Sequence, residues 1–573
     1  MELIDSIPVL SVAFRTFSSQ MLRSFSLLVL FTCVIAHLES TLPSLSKFVS
    51  CEACKLAFSL LQKSGSIPFV PDSAGKLAAA FCALKGLQDY RVCSDTVGEY
   101  KELVWFMLQQ ELDADQACAI LQVCPWVQPF PEWDAQFSSE KPPVPEYPQT
   151  LDSDEFFYVL FLSDVHVDLE YTVGLSTECG EPICCRPPNP PGKTQGTSAG
   201  FWGDYACDAA PSLVEHMVQF IGSHLFPKYR FQFVVLTGDL AAHDAWRITR
   251  EEALKRIQFV SDLLKENLRN VPVIPALGNH DTVPINQFVP RSFDQDPKSS
   301  KFNMSWLYHS LSEMWKDWLP KEALEEFETR GGFFSVKIRP DLRVISLNTN
   351  LGCNPGNWWL RIISEELADP DHMLHWLVET LEQAEAAEEK VIIISHISPD
   401  ERTCIPNWWN NYFKIILRFE SIIVQQLAGH THDDTFHVMA DSERRAFSSV
   451  LFPGSVTSWT KNPGFRVLKF NNRTKRVEDF EEYFVDLQLA NLYGSPDWTI
   501  EYSMKQAYGL DDLSPQSLLS LIDEFRRNDT LFDQFLSRLN KQYSRRKCDE
   551  SCRKGMLASM VNINHQMSLN PLK

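Results

Sequence analysis

The chain is short of positive charge. Its 573 residues carry 53 Lys and Arg against 74 Asp and Glu, a net charge of −21. Phosphate backbones select basic surfaces, so a general nucleic-acid binder is excluded. Beyond residue 40 no run of about 20 apolar residues occurs, the length a membrane-crossing helix needs. No internal repeat appears, which excludes solenoids and propellers. Hydrophobic residues make up 44% of the chain, which excludes wholesale disorder. At roughly 150 residues per domain, the length allows about four domains, or fewer if one is a large catalytic unit.

The features that are present begin at the N-terminus. Arg23 precedes an apolar run from Phe25 to Ala36, and polar His37, Glu39 and Ser40 follow. This reads as a signal peptide within residues 1–40, with Met21 as an alternative start and an apolar run too short for a comfortable span. The expectation is a mature protein that is soluble and luminal or secreted. Fifteen cysteines agree with an oxidising compartment. With Cys33 removed in the leader, an even fourteen remain. Sequons at Asn303, Asn472 and Asn528 are candidate glycosylation sites.

Residues 48–127 hold Cys51, Cys54, Cys82, Cys93, Cys118 and Cys124 between stretches of helical periodicity. Cys51, Cys54, Ala57, Phe58 and Leu61 share one helical face, and residues 99–112 repeat the pattern. Six cysteines allow 15 connectivities. No second Cys-x-x-Cys or nearby histidine favours zinc here. Residues 128–150, with Pro131, Pro142, Pro143, Pro145 and Pro148, read as a semi-rigid linker.

From 155 to 460 short β-rich runs alternate with helical stretches, an α/β pattern. Residues 171–210, with Cys179, Cys184, Cys185 and Cys207, read as a disulfide-tied insertion. Residues 461–573 read as mostly helical.

Five apolar runs end in metal-capable residues. Asp164-Val-His166 follows the first, Gly238-Asp239 the second and Gly278-Asn279-His280-Asp281 the third; His396 and Gly429-His430-Thr431-His432 follow the last two. An α/β sheet places its site at the carboxyl ends of its strands. Asp164, His166, Asp239, Asn279, His396, His430 and His432 offer imidazoles, carboxylates and an amide, a set suited to zinc, with iron or manganese also allowed. One ion would leave ligands over, whereas two ions sharing a carboxylate use them all and clamp both oxygens of a displacement at phosphorus.

These motifs, in this order, resemble the calcineurin-like metallophosphoesterases. The six-cysteine helical region resembles a saposin B-type domain. Together with the linker and tail, they resemble the acid sphingomyelinase family over residues 48 to about 560. The resemblance implies an α+β multidomain protein: an all-α saposin-like domain, then an α/β four-layer metallophosphoesterase (a β-sandwich flanked by helices), then a helical C-terminal region. It implies disulfides Cys51–Cys124, Cys54–Cys118, Cys82–Cys93, Cys179–Cys184, Cys185–Cys207, Cys353–Cys404 and Cys548–Cys552. It implies two Zn²⁺, one on Asp164, His166 and His432, the other on Asn279, His396 and His430, bridged by Asp239. It further implies hydrolysis of sphingomyelin, in membranes or lipoproteins, to ceramide and phosphocholine by metal-activated hydroxide. His280 would protonate the leaving ceramide oxygen, with His243 assisting. The saposin-like domain would contact the membrane surface. Competing readings are a phosphodiesterase of nucleotides or other phospholipids, and a non-enzymatic lipid-binding protein. A purple acid phosphatase would want a tyrosine shortly after Gly-Asp, where this chain has Asp239-Leu-Ala-Ala-His243. Trp358-Trp359 and Trp408-Trp409 read as either choline contacts or core.

Overall fold

The computed structural model describes residues 51–564 apart from 53, 57, 60–70, 85, 109–112, 121–123, 126–132, 145–154, 269, 295–298, 362–367 and 544–547. The leader expected over 1–40 lies outside the described residues, as do the outer parts of the proline-rich segment. Among the described residues no helix is long and apolar enough to cross a membrane.

The chain divides into two compact units, one of residues 1–77 and 100–129, the other of 78–99 and 130–573. In the first, disulfides Cys51–Cys124 and Cys54–Cys118 staple helical segments around a small core of Phe58, Ala117, Cys118 and Ala119. The sequence reading makes 48–127 one six-cysteine domain, but residues 78–99, with the Cys82–Cys93 bridge, group with the second unit. Burial explains this: Val92 packs in one apolar cluster with Ile183 and Trp246, and Arg91 pairs with Glu181.

Among the described residues the second unit holds thirteen strands: β1 Phe156–Leu162, β2 Phe233–Leu236, β3 Val273–Pro275, β4 Phe334–Arg339, β5 Leu342–Ser346, β6 Lys390–Ile394, β7 Ile423–Leu427, β8 Thr435–Ala440, β9 Ala446–Phe452, β10 Gly464–Asn471, β11 Val477–Phe484, β12 Thr499–Ser503 and β13 Val561–Ile563. They form two mixed sheets, ordered β12-β11-β10-β1-β2-β3 and β13-β8-β9-β7-β6-β5-β4. β1, β2 and β3 run parallel, as do β5, β6 and β7. The unbroken apolar runs of β1 and β6 are the mark of parallel strands covered on both faces: Val159–Leu162 and Val391–Ile394 are buried throughout. The sheets are tied where Ser346 Oγ donates to the Pro275 carbonyl, 2.7 Å. Crossover helices start on recognisable signals. Thr249 and Glu252 form a reciprocal capping box on Arg250–Asn267, and Pro406 opens Pro406–Arg418 at a position where its missing N–H costs nothing.

Two regions differ from the sequence reading. Residues 461–573 are not simply helical, because β10, β11 and β12 extend the first sheet and β13 pairs with β8 at the edge of the second. The α/β part therefore does not end at 460. In the expected linker, residues 133–144 are pinned rather than free. Asn411 accepts from Ala135 N (2.7 Å) and donates to the Trp133 carbonyl, and Phe137 meets Phe419 edge-on. The remaining disulfides are Cys179–Cys184, Cys185–Cys207, Cys353–Cys404 and Cys548–Cys552. Of the sequons, Asn528 is exposed and caps the helix Asp529–Leu539. Asn303 and Asn472 are half-buried, and Asn472 bonds to Arg339 and Glu155.

Candidate active site

Every expected ligand sits just past a strand. Asp164 and His166 follow β1, Asp239 follows β2, Asn279 and His280 follow β3, His396 follows β6, and His430 and His432 follow β7. The turns that carry them are tight. Asp164, His166, Asp239, His430 and His432 all have positive φ, between 42° and 72°, in a region that costs a side chain about 1–3 kcal/mol. Glycines let these turns approach one another. A Cβ on Gly278 would overlap the Asp239 main chain and carboxylate, and one on Gly429 would overlap Ser163 Oγ. Asp281, whose role the sequence does not disclose, ties two turns: its carboxylate accepts from Gly278 N (2.8 Å), Asp239 N (3.0 Å) and Leu240 N (2.8 Å).

The structure brings all seven side chains together. Ligand atoms of Asp164, His166, Asp239 and His432 lie within 4.8 Å of one another, as do those of Asp239, His396 and His430. Asn279 Oδ1 is 3.0 Å from His396 Nε2. Main-chain carbonyls fix the tautomers. His166 Nδ1 faces the Ala241 carbonyl at 2.8 Å and His396 Nδ1 the Thr237 carbonyl at 2.6 Å, so each ring turns Nε2 inward. His166 Nε2 then meets His432 Nε2 at 3.1 Å and Asp239 Oδ2 at 3.4 Å; His396 Nε2 meets Asp239 Oδ2 at 3.1 Å. Lone pairs facing lone pairs repel unless a cation lies between them, so these residues fit metal ions. Without a cation, a proton takes that place. Burial pushes His396 down, but the Asp239 charge and hydrogen bond outweigh it and raise it to about 9. Burial and the neighbouring His243 hold His166 well below its ordinary range. Proton and metal compete for the same lone pairs.

His280 and His243 stand over the cluster. His243 stacks on His166 with ring centroids 3.7 Å apart and meets His280 at 4.6 Å. Burial holds His280 near 3, and its Nδ1 has no partner among the described residues. His243 differs. Burial lowers it, but Asp208, 2.7 Å from Nδ1, outweighs that and raises it. No motif marks Asp208 in the sequence.

Asp239, His243, His280, His430 and His432 line a cavity of about 640 Å³, together with Thr431, Asp433, Trp459, Thr460, Lys461, Asn540 and Tyr543. Trp459 lies 4.6 Å from His243, and Tyr543 stacks on Tyr205 at 3.7 Å. The tryptophans singled out in the sequence are elsewhere: Trp359, Trp408 and Trp409 are buried in the core. The chain after the helix Asp529–Leu539 reaches the cavity because Lys541 plugs a buried slot. Its side chain passes over Gly454 and Gly464, and Nζ bonds Asp434 (3.0 Å) and Glu482.

Residues 157–434 match the family described as calcineurin-like phosphoesterase, and residues 447–572 match the acid sphingomyelin phosphodiesterase C-terminal region. The chain is 33% identical to sphingomyelin phosphodiesterase of Bos taurus, over 90% of this chain and 82% of that one. The chain belongs to the sphingomyelin phosphodiesterase family. With it the chain is an enzyme, a phosphoric diester hydrolase. Sphingomyelin phosphodiesterase B of Dictyostelium discoideum is 31% identical over 85% of this chain and 75% of its own. Cyclic GMP-AMP phosphodiesterase of Mus musculus is 29% identical over 72% of this chain and 89% of its own.

Proposed function

We propose that the chain hydrolyses sphingomyelin to ceramide and phosphocholine with two zinc ions. The observation that carries the reading is the inward-facing set of Asp164, His166, Asp239, Asn279, His396, His430 and His432, of which Asp239, His430 and His432 line the cavity. On this reading Asp164, His166 and His432 hold one ion, Asn279, His396 and His430 the other, and Asp239 both. The ions, when bound, supply Lewis acidity toward the phosphate oxygens and an activated water. The chain's own residues do the rest. His280 faces the reacting phosphate and donates a proton to the leaving ceramide oxygen, a poor leaving group without one. The anionic phosphodiester beside it favours the protonated form of this imidazole. His243, oriented through Nδ1 by Asp208, assists. Trp459 and Tyr543 give the choline aromatic faces.

The rest of the architecture belongs to the same proposal. Residues 1–40 are a cleaved leader, 48–127 a saposin-like region that meets the lipid surface, 128–150 a linker and 155–460 the catalytic core completed by 461–573. The protein is secreted or lysosomal, and Asn303, Asn472 and Asn528 are its glycosylation sites. Phosphocholine release from sphingomyelin liposomes at acidic pH, with zinc and beside Asp239→Ala, tests the reading. Release that vanishes in the variant is expected. A zinc-loaded chain that leaves sphingomyelin intact but cleaves a cyclic dinucleotide would replace the substrate and keep the site.

A further inference from the structure

Asn279 differs in kind from the other candidate ligands. A primary amide has two ends alike in shape and opposite in hydrogen-bonding character, and only its oxygen can face a cation. The end that faces the cluster is therefore set by whatever holds the other end. Asn279 Nδ2 donates to Asn286 Oδ1, 3.0 Å. Asn286 is itself an amide, and its Oδ1 also accepts from Asn354 Nδ2, 3.3 Å. Asn354 is fixed at both ends: its Oδ1 accepts from Gly356 N (3.0 Å) and its Nδ2 donates to Asn350 Oδ1 (3.0 Å). Asn350 Nδ2 in turn donates to the Leu277 carbonyl (3.1 Å) and to Asn348 Oδ1 (3.1 Å), and Asn348 Nδ2 to the Gly331 carbonyl (2.9 Å). The outer members are bound to main-chain groups, which cannot flip. Orientation is passed inward, amide by amide, to Asn279. The loop is closed by Asn286 N donating to the Asn279 carbonyl, 2.9 Å. Asn348 and Asn350 are fully buried, Asn279 and Asn354 nearly so and Asn286 half-buried, so at four of the five amides water cannot easily substitute for a lost partner.

We propose that Asn286 and Asn354 are positioning residues that fix the Asn279 amide with its oxygen toward the cation. The proposal rests on the reading of Asn279 as a ligand. It makes an uncommon demand, that of two substitutions adding the same charge a few ångströms apart, one leaves zinc binding nearly unchanged and the other weakens it. Asn286→Asp keeps an acceptor for both neighbouring amides, so the relay stands. Asn354→Asp replaces the Nδ2 donor by an oxygen facing Asn286 Oδ1. Asn286 then turns its nitrogen outward to both neighbours, and Asn279 turns its own nitrogen toward the cluster.

The test is zinc content of the full chain at graded free zinc, read by metal mass spectrometry. The wild type and Asn286→Asp are expected to hold two zinc ions with affinities within about threefold of each other. Asn354→Asp and Asn286→Leu are expected to lose about 10- to 100-fold in affinity for one ion and keep the other, the usual scale for a lost ligand-orienting partner. If Asn354→Asp does not fold, Asn354→Ala removes the donor without adding charge and is expected to weaken the same ion. Equal zinc binding by Asn286→Asp and Asn354→Asp overturns the proposal, as does full retention by Asn286→Leu. A wild-type chain that takes up no zinc overturns the ligand reading and the relay with it, an outcome distinct from either.

Discussion

The two halves of the ligand cluster are held by different means. In the half with Asp164, His166 and His432, one ligand is itself charged, and a charged cluster lies close by in the chain. Asp164 accepts from His430 N at 3.0 Å and from Ser163 Oγ. Two residues after His432, Asp434 is buried among Arg466, Lys541 and Tyr502, bonded to all three. In the half with Asn279, His396 and His430, a neutral amide stands where the first half has a carboxylate, and neutral amides hold it. A carboxylate attracts a cation whichever way it turns; an amide does so only when oriented. The first half thus relies on charge and the second on geometry, and the two should fail under different stresses.

The largest effect is expected where the halves meet. Asp239→Ala removes the ligand common to both and should abolish binding of both zinc ions, with phosphodiesterase activity down about 10³-fold or more, measured by phosphocholine release. Exchanging the two ligand types should sharpen the contrast. Asp164→Asn gives the first half the chemistry of the second, and Asn279→Asp does the reverse. The first substitution should weaken one zinc ion and the second tighten the other, each read by competition with a chromophoric chelator. A graded chelator series on the unmodified chain should remove zinc in two steps, with the Asn279 half emptying first; a single step would show that the halves do not differ.

The smallest effect concerns the charged cluster beside the first half. Glu501 joins that buried cluster, 3.9 Å from Lys541. Burial, reinforced by Asp434 and Glu482 and opposed by Lys541, raises it from 4.5 to about 8. The fold therefore binds a proton that the unfolded chain releases above about pH 4.5, and stability falls as pH rises from there to about 8. Glu501→Gln keeps the neutral shape without the titration. Its melting temperature should change less than that of the wild type between pH 5 and pH 8, by a few degrees in a thermal scan.

The residues legible in the sequence were those whose chemistry is local. A strand ending in Asp-x-His or Gly-Asn-His-Asp needs no knowledge of its neighbours, and the parallel strands announce themselves as apolar runs. What was hidden depends on partners far along the chain. β10, Gly464–Asn471, is buried on both faces, so it shows no alternation. β11 carries acidic residues ill suited to a strand, until Glu482 is seen paired with Arg466 and Lys541. Trp459, Asn540 and Tyr543 reach the cavity from outside the motifs, and Asp208 reaches His243 from beside a disulfide. The asparagine relay is equally silent, because an amide's orientation is set by contacts and not by spacing.

The tail strand β13 has one more consequence. β8, Thr-Phe-His-Val-Met-Ala, is buried at every position, and β13 pairs with its last three residues, Val438–Ala440, as the outermost strand of the sheet. Without those few residues the sheet would present an apolar row of unpaired amides and carbonyls, a template on which copies of the chain could stack. Strand β13 thus covers an edge on which copies could stack, and its proteolytic loss would register first as aggregation.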